Sequence, residues 1–247
     1  MEPCELGPVV SQPSGKGPPE RIDAAYYDRS EYFEAGHLTD RQSPFQRYRV
    51  EKILSIYDPA GEERVLDMGC GWGTLEWALG PHVTEIVGVD FSAKSIEMCE
   101  RERAAAGLRN VSFVHADAGA TGLGAESFDL VIAADLFEHL YPDDSERVAR
   151  EAYRVLKRGG RFSIWTPHRG HILEVLKNNS ILLKPDPTHV DYKSMDRLQT
   201  LLEEAGFVLE KAYYAESHLP VLRSVERVFM AGLPLLRRRI AMLGRKV

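Results

Sequence analysis

Apolar positions along this chain alternate between two spacings. Val65, Leu66 and Met68 form a short run of the kind a strand carries when both faces of its sheet are covered. Ile86 to Val89, Val111 to His115, Phe128 to Ala133, Arg161 to Thr166 and Phe207 to Tyr214 read as further strands. Between them lie stretches with helical signals. Ser43-Pro44 opens a helix over Phe45 to Ile56, and Thr74 to Leu79 reads as the first turns of another. Ser92 caps a third, running to Ala106 before Gly107. A fourth covers Asp143 to Lys157 and stops at Arg158-Gly159-Gly160. His171 to Asn179 is a short helix, and Ser194 caps one that Gly206 closes. Strand alternating with helix predicts a doubly wound α/β sheet.

The run Arg64 to Asp90 carries the chemistry. Its first strand stops at Gly69-Cys70-Gly71-Trp72-Gly73, where alternate glycines permit a sharp turn and leave no Cβ in the path of a ligand. The following helix directs unpaired N–H groups and its positive dipole end at the same spot. Asp90 ends the second strand, where a carboxylate accepts hydrogen bonds from ribose hydroxyls in dinucleotide folds. These features predict a nucleoside site. A dinucleotide fingerprint spaces its glycines Gly-x-Gly-x-x-Gly. Here the string is Asp67-x-Gly69-x-Gly71-x-Gly73, with a leading carboxylate and a last interval one residue short.

That string resembles motif I of the class I S-adenosylmethionine-dependent methyltransferases. The resemblance continues through Asp90, His115-Ala116-Asp117-Ala118, Asp135-Leu136-Phe137-Glu138-His139-Leu140 and Arg154 to Gly160, covering roughly Arg47 to Phe207 in the family's order. It implies a seven-stranded Rossmann-like sheet of order 3-2-1-4-5-7-6 with strand 7 antiparallel, and S-adenosylmethionine as cofactor. By the resemblance, Asp67 and the backbone of Gly69 to Gly73 hold the methionine end, Asp90 the ribose, and Asp117 with Ala118 the adenine. Cys70, Phe91 and Asp135 join the cofactor-binding set. Asp117 also reads as a turn cap. The chain lacks the Asn/Asp-Pro-Pro-Tyr/Phe string of members that methylate base amines or glutamine amides, which favours a small-molecule acceptor over nucleic acid. Glu138 and His139 either face that acceptor or cap the next helix. His168 and His171, after the fifth strand, are base candidates beside His139 or are polar surface. His189, Asp191 and Tyr192 have a structural role or contact the acceptor. No metal-ligating constellation is visible, so metal-independent chemistry is expected. A non-catalytic cofactor binder and a dehydrogenase are the alternatives, and Asp67 with the short glycine interval argues against the second.

Composition narrows partners. A net charge of −6 gives no reason to expect a nucleic-acid binder. Cys4, Cys70 and Cys99 form no disulfide or metal spacing, and no apolar run reaches membrane-span length; with a polar N-terminus, a cytoplasmic chain is the default expectation. Residues 1–20 hold five prolines and three glycines and read as a disordered tail. Residues 21–60 read as a helical cap, in which Tyr26, Tyr27, Tyr32 and Phe33 either cover the ligand cleft or pack on the sheet edge. Residues 61–247 form the main domain. Within it, Leu219 to Val247 carries seven basic residues against Glu226. That segment is either a membrane-surface element serving a lipid-linked acceptor or, by the resemblance, a helix (Val221 to Ala231) and the last strand (Arg239 to Lys246). The sequence says nothing of oligomeric state.

Overall fold

A computed structural model describes residues 21–28, 40–181 and 186–247. The expected tail, along with Tyr32 and Phe33, lies outside the described residues. The elements in chain order are α1 (Ala24–Tyr27), α2 (Pro44–Ile56), β1 (Arg64–Met68), α3 (Thr74–Leu79), β2 (Glu85–Asp90), α4 (Ala93–Ala106), β3 (Val111–His115) and β4 (Phe128–Ala134). There follow α5 (Pro142–Val155), β5 (Leu156–Pro167), α6 (Ile172–Asn178), α7 (Met195–Glu204), β6 (Phe207–Ala215), α8 (Pro220–Phe229) and β7 (Arg239–Lys246). The sheet order is β3-β2-β1-β4-β5-β7-β6. Strands β1 to β5 pair in parallel, and β7 runs antiparallel to both β5 and β6.

The apolar runs are continuous because each strand feeds two cores. Leu66, Met68, Val87, Val89, Val131 and Ala133 pack with Val148, Ala152 and Val155 of α5 and Leu198, Leu201 and Leu202 of α7. The alternate residues Val65, Ile86, Leu130 and Ile132 pack with α2, α3 and α4 on the opposite face. Helix α3 has six residues, far below the roughly 12–15 at which an isolated helix is marginal in water. Burial of Leu75 and Leu79, about 1.5–3 kcal/mol each, holds it instead.

One boundary differs from expectation. Helix α5 ends at Val155, and β5 begins at Leu156 rather than Arg161. Phe128 pairs with Leu156 and Leu130 with Arg161, so the register shifts and the intervening residues bulge. Gly159, at φ +80°, permits that bulge; it is not the helix stop expected of it. The C-terminal segment forms α8 and β7, and its charges are largely spent on acids of other elements: Arg238 pairs with Glu174, Arg239 with Asp135, Arg227 with Glu216 and Arg245 with Glu210. Val221, Val228 and Phe229 of α8 are exposed. Among the described residues, no helix is long and apolar enough to cross a membrane.

Candidate functional site

Strand β1 lies between β2 and β4, so the strand order reverses there and a crevice opens at the carboxyl ends. Two cavities occupy it, of about 350 and about 530 Å³.

The smaller cavity forms around the glycine loop. Gly69 and Cys70 N–H groups donate to the Val89 carbonyl at 2.8 and 3.0 Å, locking the loop to β2. The Asp90 carboxylate accepts from Gly71 N–H and Ser92 N–H, both at 2.9 Å. Gly71 has φ +51°, and a Cβ there would meet nothing within 4 Å, so the loop leaves an open cradle. Phe91, Asp117 and Ala118 continue the wall. Asp117 accepts from Gly119 N–H at 2.7 Å and from Arg147 at 2.9 Å, so it both caps its own turn and faces the cavity. Across the mouth, Tyr27 stacks at 5.1 Å on Phe91 and sets its hydroxyl 3.2 Å from His139 Nδ1, while Asp28 accepts from Ser92 Oγ at 2.6 Å. Tyr27 and Asp28 thus lie over the cleft rather than on a sheet edge.

The larger cavity lies between α2, α6, the stretch around His189 and the start of β7; Gly69, Gly71, Asp135 and His139 border both cavities. His139 donates from Nδ1 to the Thr188 carbonyl at 3.0 Å, a bond that in the neutral tautomer puts the ring lone pair on Nε2. The short turn carrying it, Phe137–His139, is fastened by the buried Lys193, whose Nζ donates to the carbonyls of Phe137, Leu140 and Asp191 at 2.9, 2.6 and 3.0 Å. Glu138 is 1% exposed and accepts from Thr166 Oγ1 at 2.9 Å. Burial pushes its carboxyl up, against the pull of His139. Burial also lowers His189, to about 4, so this imidazole is neutral at physiological pH.

Asp135 sits at the end of β4 with φ +56°. Arg239 Nη1 and Arg49 Nε reach its two oxygens at 2.5 and 2.6 Å. Burial alone would raise this carboxyl, but the two guanidiniums outweigh it and hold it at about 2. Asp67 is 3% exposed, lies beneath the loop, and lines neither cavity; among the described residues its Oδ1 has no hydrogen-bond partner. Burial first, then Asp90 and Asp135, push it up to about 7. Glu76 of α3 is wholly buried, and burial with the neighbouring Asp67 raises its carboxyl well above its ordinary value.

With this geometry the comparisons agree. Residues 65–160 match the family model described as a methyltransferase domain. The chain is 29% identical over 176 residues to the uncharacterized methyltransferase YcgJ of Bacillus subtilis, covering 65% of this chain and 68% of that protein. These matches support a class I S-adenosylmethionine-dependent methyltransferase. The mitochondrial ubiquinone biosynthesis O-methyltransferase of Rattus norvegicus is 27% identical over 199 residues, 75% of this methyltransferase; the chain spans 57% of the rat enzyme's length. A solved SAM-dependent methyltransferase from Archaeoglobus fulgidus shares the fold, with a TM-score of 0.67 and 21% identity over 88% of this chain and 99% of that one.

Of the residues expected at a methyltransferase site, Gly69, Gly71, Asp90, Phe91, Asp117, Ala118, Asp135 and His139 border the smaller cavity. Cys70 borders the larger one, and Gly73, the αL cap of α3, borders neither. Two base candidates do not stand up. His171 is fully buried; its Nδ1 accepts from Leu173 N–H at 3.2 Å and its Nε2 donates to Glu226 at 2.7 Å, so no lone pair is left for an acceptor. His168 donates to the Arg237 carbonyl at 3.0 Å and packs against Tyr214, outside both cavities. The sequence also showed no metal spacing, yet the fold brings donor atoms of Glu138, His139 and His189 within 4.8 Å of one another. Glu76 and Arg49 went unremarked, and Arg239 was noted only as a basic residue opening the last strand. Their signal is a charge amid apolar helix or strand positions.

Proposed function

We propose that this methyltransferase transfers a methyl group from S-adenosylmethionine to a hydroxyl of a small-molecule acceptor held in the larger cavity. The observation that carries the reading is His139, which borders both cavities with Nδ1 engaged by a backbone carbonyl. S-adenosylmethionine, when bound, supplies a methyl group already activated on a sulfonium. The smaller cavity fits such a group: the open cradle at Gly71 admits its backbone-facing part, and Asp90 and Asp117 present carboxylates on its wall. Asp90 takes the ribose hydroxyls with the lone pairs that Gly71 and Ser92 leave unused, and Asp117 with Ala118 reads the adenine. Tyr27 and Phe91 cover the cleft and exclude water. His139 accepts a hydrogen bond from the acceptor hydroxyl and sets its oxygen toward the cofactor side. An amine would need only positioning; an imidazole on this wall favours oxygen. The rat relative named as an O-methyltransferase is consistent with that choice.

The experiment is a thermal-shift comparison of S-adenosylhomocysteine with NAD. A ligand at 100 times its Kd raises stability by about 2.7 kcal/mol. S-adenosylhomocysteine is expected to raise Tm by several degrees, NAD is not, and Asp90→Ala abolishes the shift with the fold retained. Stabilisation by NAD alone overturns the reading.

A further inference from the structure

We propose that Glu138, His139 and His189 form a binding site for a divalent metal cation on the wall of the larger cavity. The inference rests on the methyltransferase reading for its chemical use, and on the side chains alone for its existence.

The three donors come from two segments, the turn after β4 and the stretch before α7, with one ligand atom from each within 4.8 Å of the others. Around an ion, such donors sit at about 2.0–2.2 Å from it, a closure that small side-chain rotations supply. What distinguishes this cluster from a chance meeting is the shell behind it. Imidazoles that bind metals donate their other ring N–H to a fixed acceptor, which sets tautomer and ring orientation. His139 Nδ1 donates to the Thr188 carbonyl at 3.0 Å. His189 Nδ1 lies 2.7 Å from the Tyr192 hydroxyl, which in turn donates to Glu174 at 2.9 Å. Glu138 has one oxygen taken by Thr166 Oγ1 at 2.9 Å. Each side chain therefore has one polar atom committed behind it, and among the described residues Nε2 of both histidines and Oε1 of Glu138 have no hydrogen bond. Lys193 and the Asp191 N–H, which donates to the Glu138 carbonyl at 3.2 Å, tie the two segments together. The Asp186 carboxylate, 3.7 Å from His189 Nε2, adds nearby negative charge.

Two imidazoles and a carboxylate suit a first-row transition ion such as Zn2+ or Mn2+ better than Mg2+, which prefers an all-oxygen shell. Three protein ligands leave coordination positions open toward the cavity. The ligand class that completes them is an oxygen donor, and an acceptor hydroxyl seated there loses its proton more readily than a free one. With the ion bound, His139 Nε2 ligates it in place of the direct hydrogen bond to the acceptor, and the ion holds the acceptor oxygen instead.

The test uses untagged full-length protein stripped with EDTA and dialysed, titrated with ZnCl2 by calorimetry and with MnCl2 by electron paramagnetic resonance. One equivalent is expected to bind at micromolar concentration or tighter. His189→Ala and Glu138→Gln each weaken binding at least 100-fold, and Tyr192→Phe, which removes only the support behind His189, weakens it about 10-fold. S-adenosylhomocysteine thermal shifts, run on every variant, report folding and the cofactor cavity separately. Absence of saturable one-equivalent binding to wild type, or unchanged affinity in both His189→Ala and Glu138→Gln, overturns the metal site and leaves the methyltransferase reading standing. Metal binding without any S-adenosylhomocysteine shift does the reverse.

Discussion

Asp135 is the sharpest place to test the electrostatics of this cleft. It sits at the reversal point of the sheet, and its carboxylate joins Arg49 of α2 to Arg239 of β7. The three side chains are 23%, 15% and 11% exposed, respectively, so solvent screens them only partly. Asp67, Glu138 and His139 are the other titratable groups that face Asp135. A carboxyl held at about 2 in the folded chain, against an ordinary 3.8, contributes about 2.5 kcal/mol of stability near neutral pH. Asp135→Asn keeps the shape, and asparagine accepts the left-handed backbone at φ +56°, so the substitution isolates charge. It removes that contribution and leaves two guanidiniums without a counter-charge, although Arg49 keeps its bond to the Ala134 carbonyl at 3.0 Å. The expected loss is about 3 kcal/mol, read as a lower urea midpoint at unchanged m. The sign with pH follows from the depressed value. The stabilisation is fully present above about pH 4 and disappears as pH falls through 2. Wild type and variant should therefore converge on acidification. A difference below 0.5 kcal/mol at pH 7 (~0.5 being the scatter of ordinary surface substitutions), or a gap that persists at pH 2, would refute the reasoning.

Two further substitutions separate structural from site residues. Gly88→Ala puts a methyl 2.8 Å from Phe113 Cδ1, 2.9 Å from Cys70 Cβ and against Glu76 Oε1. It should cost about 1–3 kcal/mol and weaken S-adenosylhomocysteine binding, because Cys70 belongs to the loop; an unchanged Tm refutes that packing. His171→Ala leaves Glu226 buried without its imidazole, though still bonded to Ser217 N–H. A loss of about 2 kcal/mol or more is expected with S-adenosylhomocysteine affinity intact, measured well below Tm. Lost affinity at unchanged Tm would return His171 to the site.

How much of this was legible in the sequence divides by range. Strand β3 runs from Val111 to His115 as the apolar pattern predicted, and β1 and β2 end at the residues that carry the loop and Asp90. Those features are set by backbone period and by glycine, and both are local. Even a local signal misleads where one residue type serves two ends. Gly159-Gly160 signals a helix stop and a bulge equally well, and pairing with Phe128, some thirty residues away, decided for the bulge.

Side-chain convergence is another matter. A position after a strand end says which end of the sheet a histidine occupies, not what will consume its nitrogens. The partners of His171 and His168, Glu226 and the Arg237 carbonyl, come from the far end of the chain. Asp135 reads as a ligand contact until Arg49 and Arg239 arrive from separate elements to claim both oxygens. Lys193 makes the point most sharply. It lies directly before the Ser194 cap of α7, where nothing in the sequence marks it, yet it is buried with three carbonyls on its ammonium. A lysine so placed costs more than an exposed one unless every donor is used, and here the carbonyls it satisfies belong to the turn bearing Glu138 and His139. The stretch around His189 is thus pinned to that turn by the lysine and the Asp191 N–H. The meeting of Glu138, His139 and His189 follows from that tether, which no spacing in the sequence encodes.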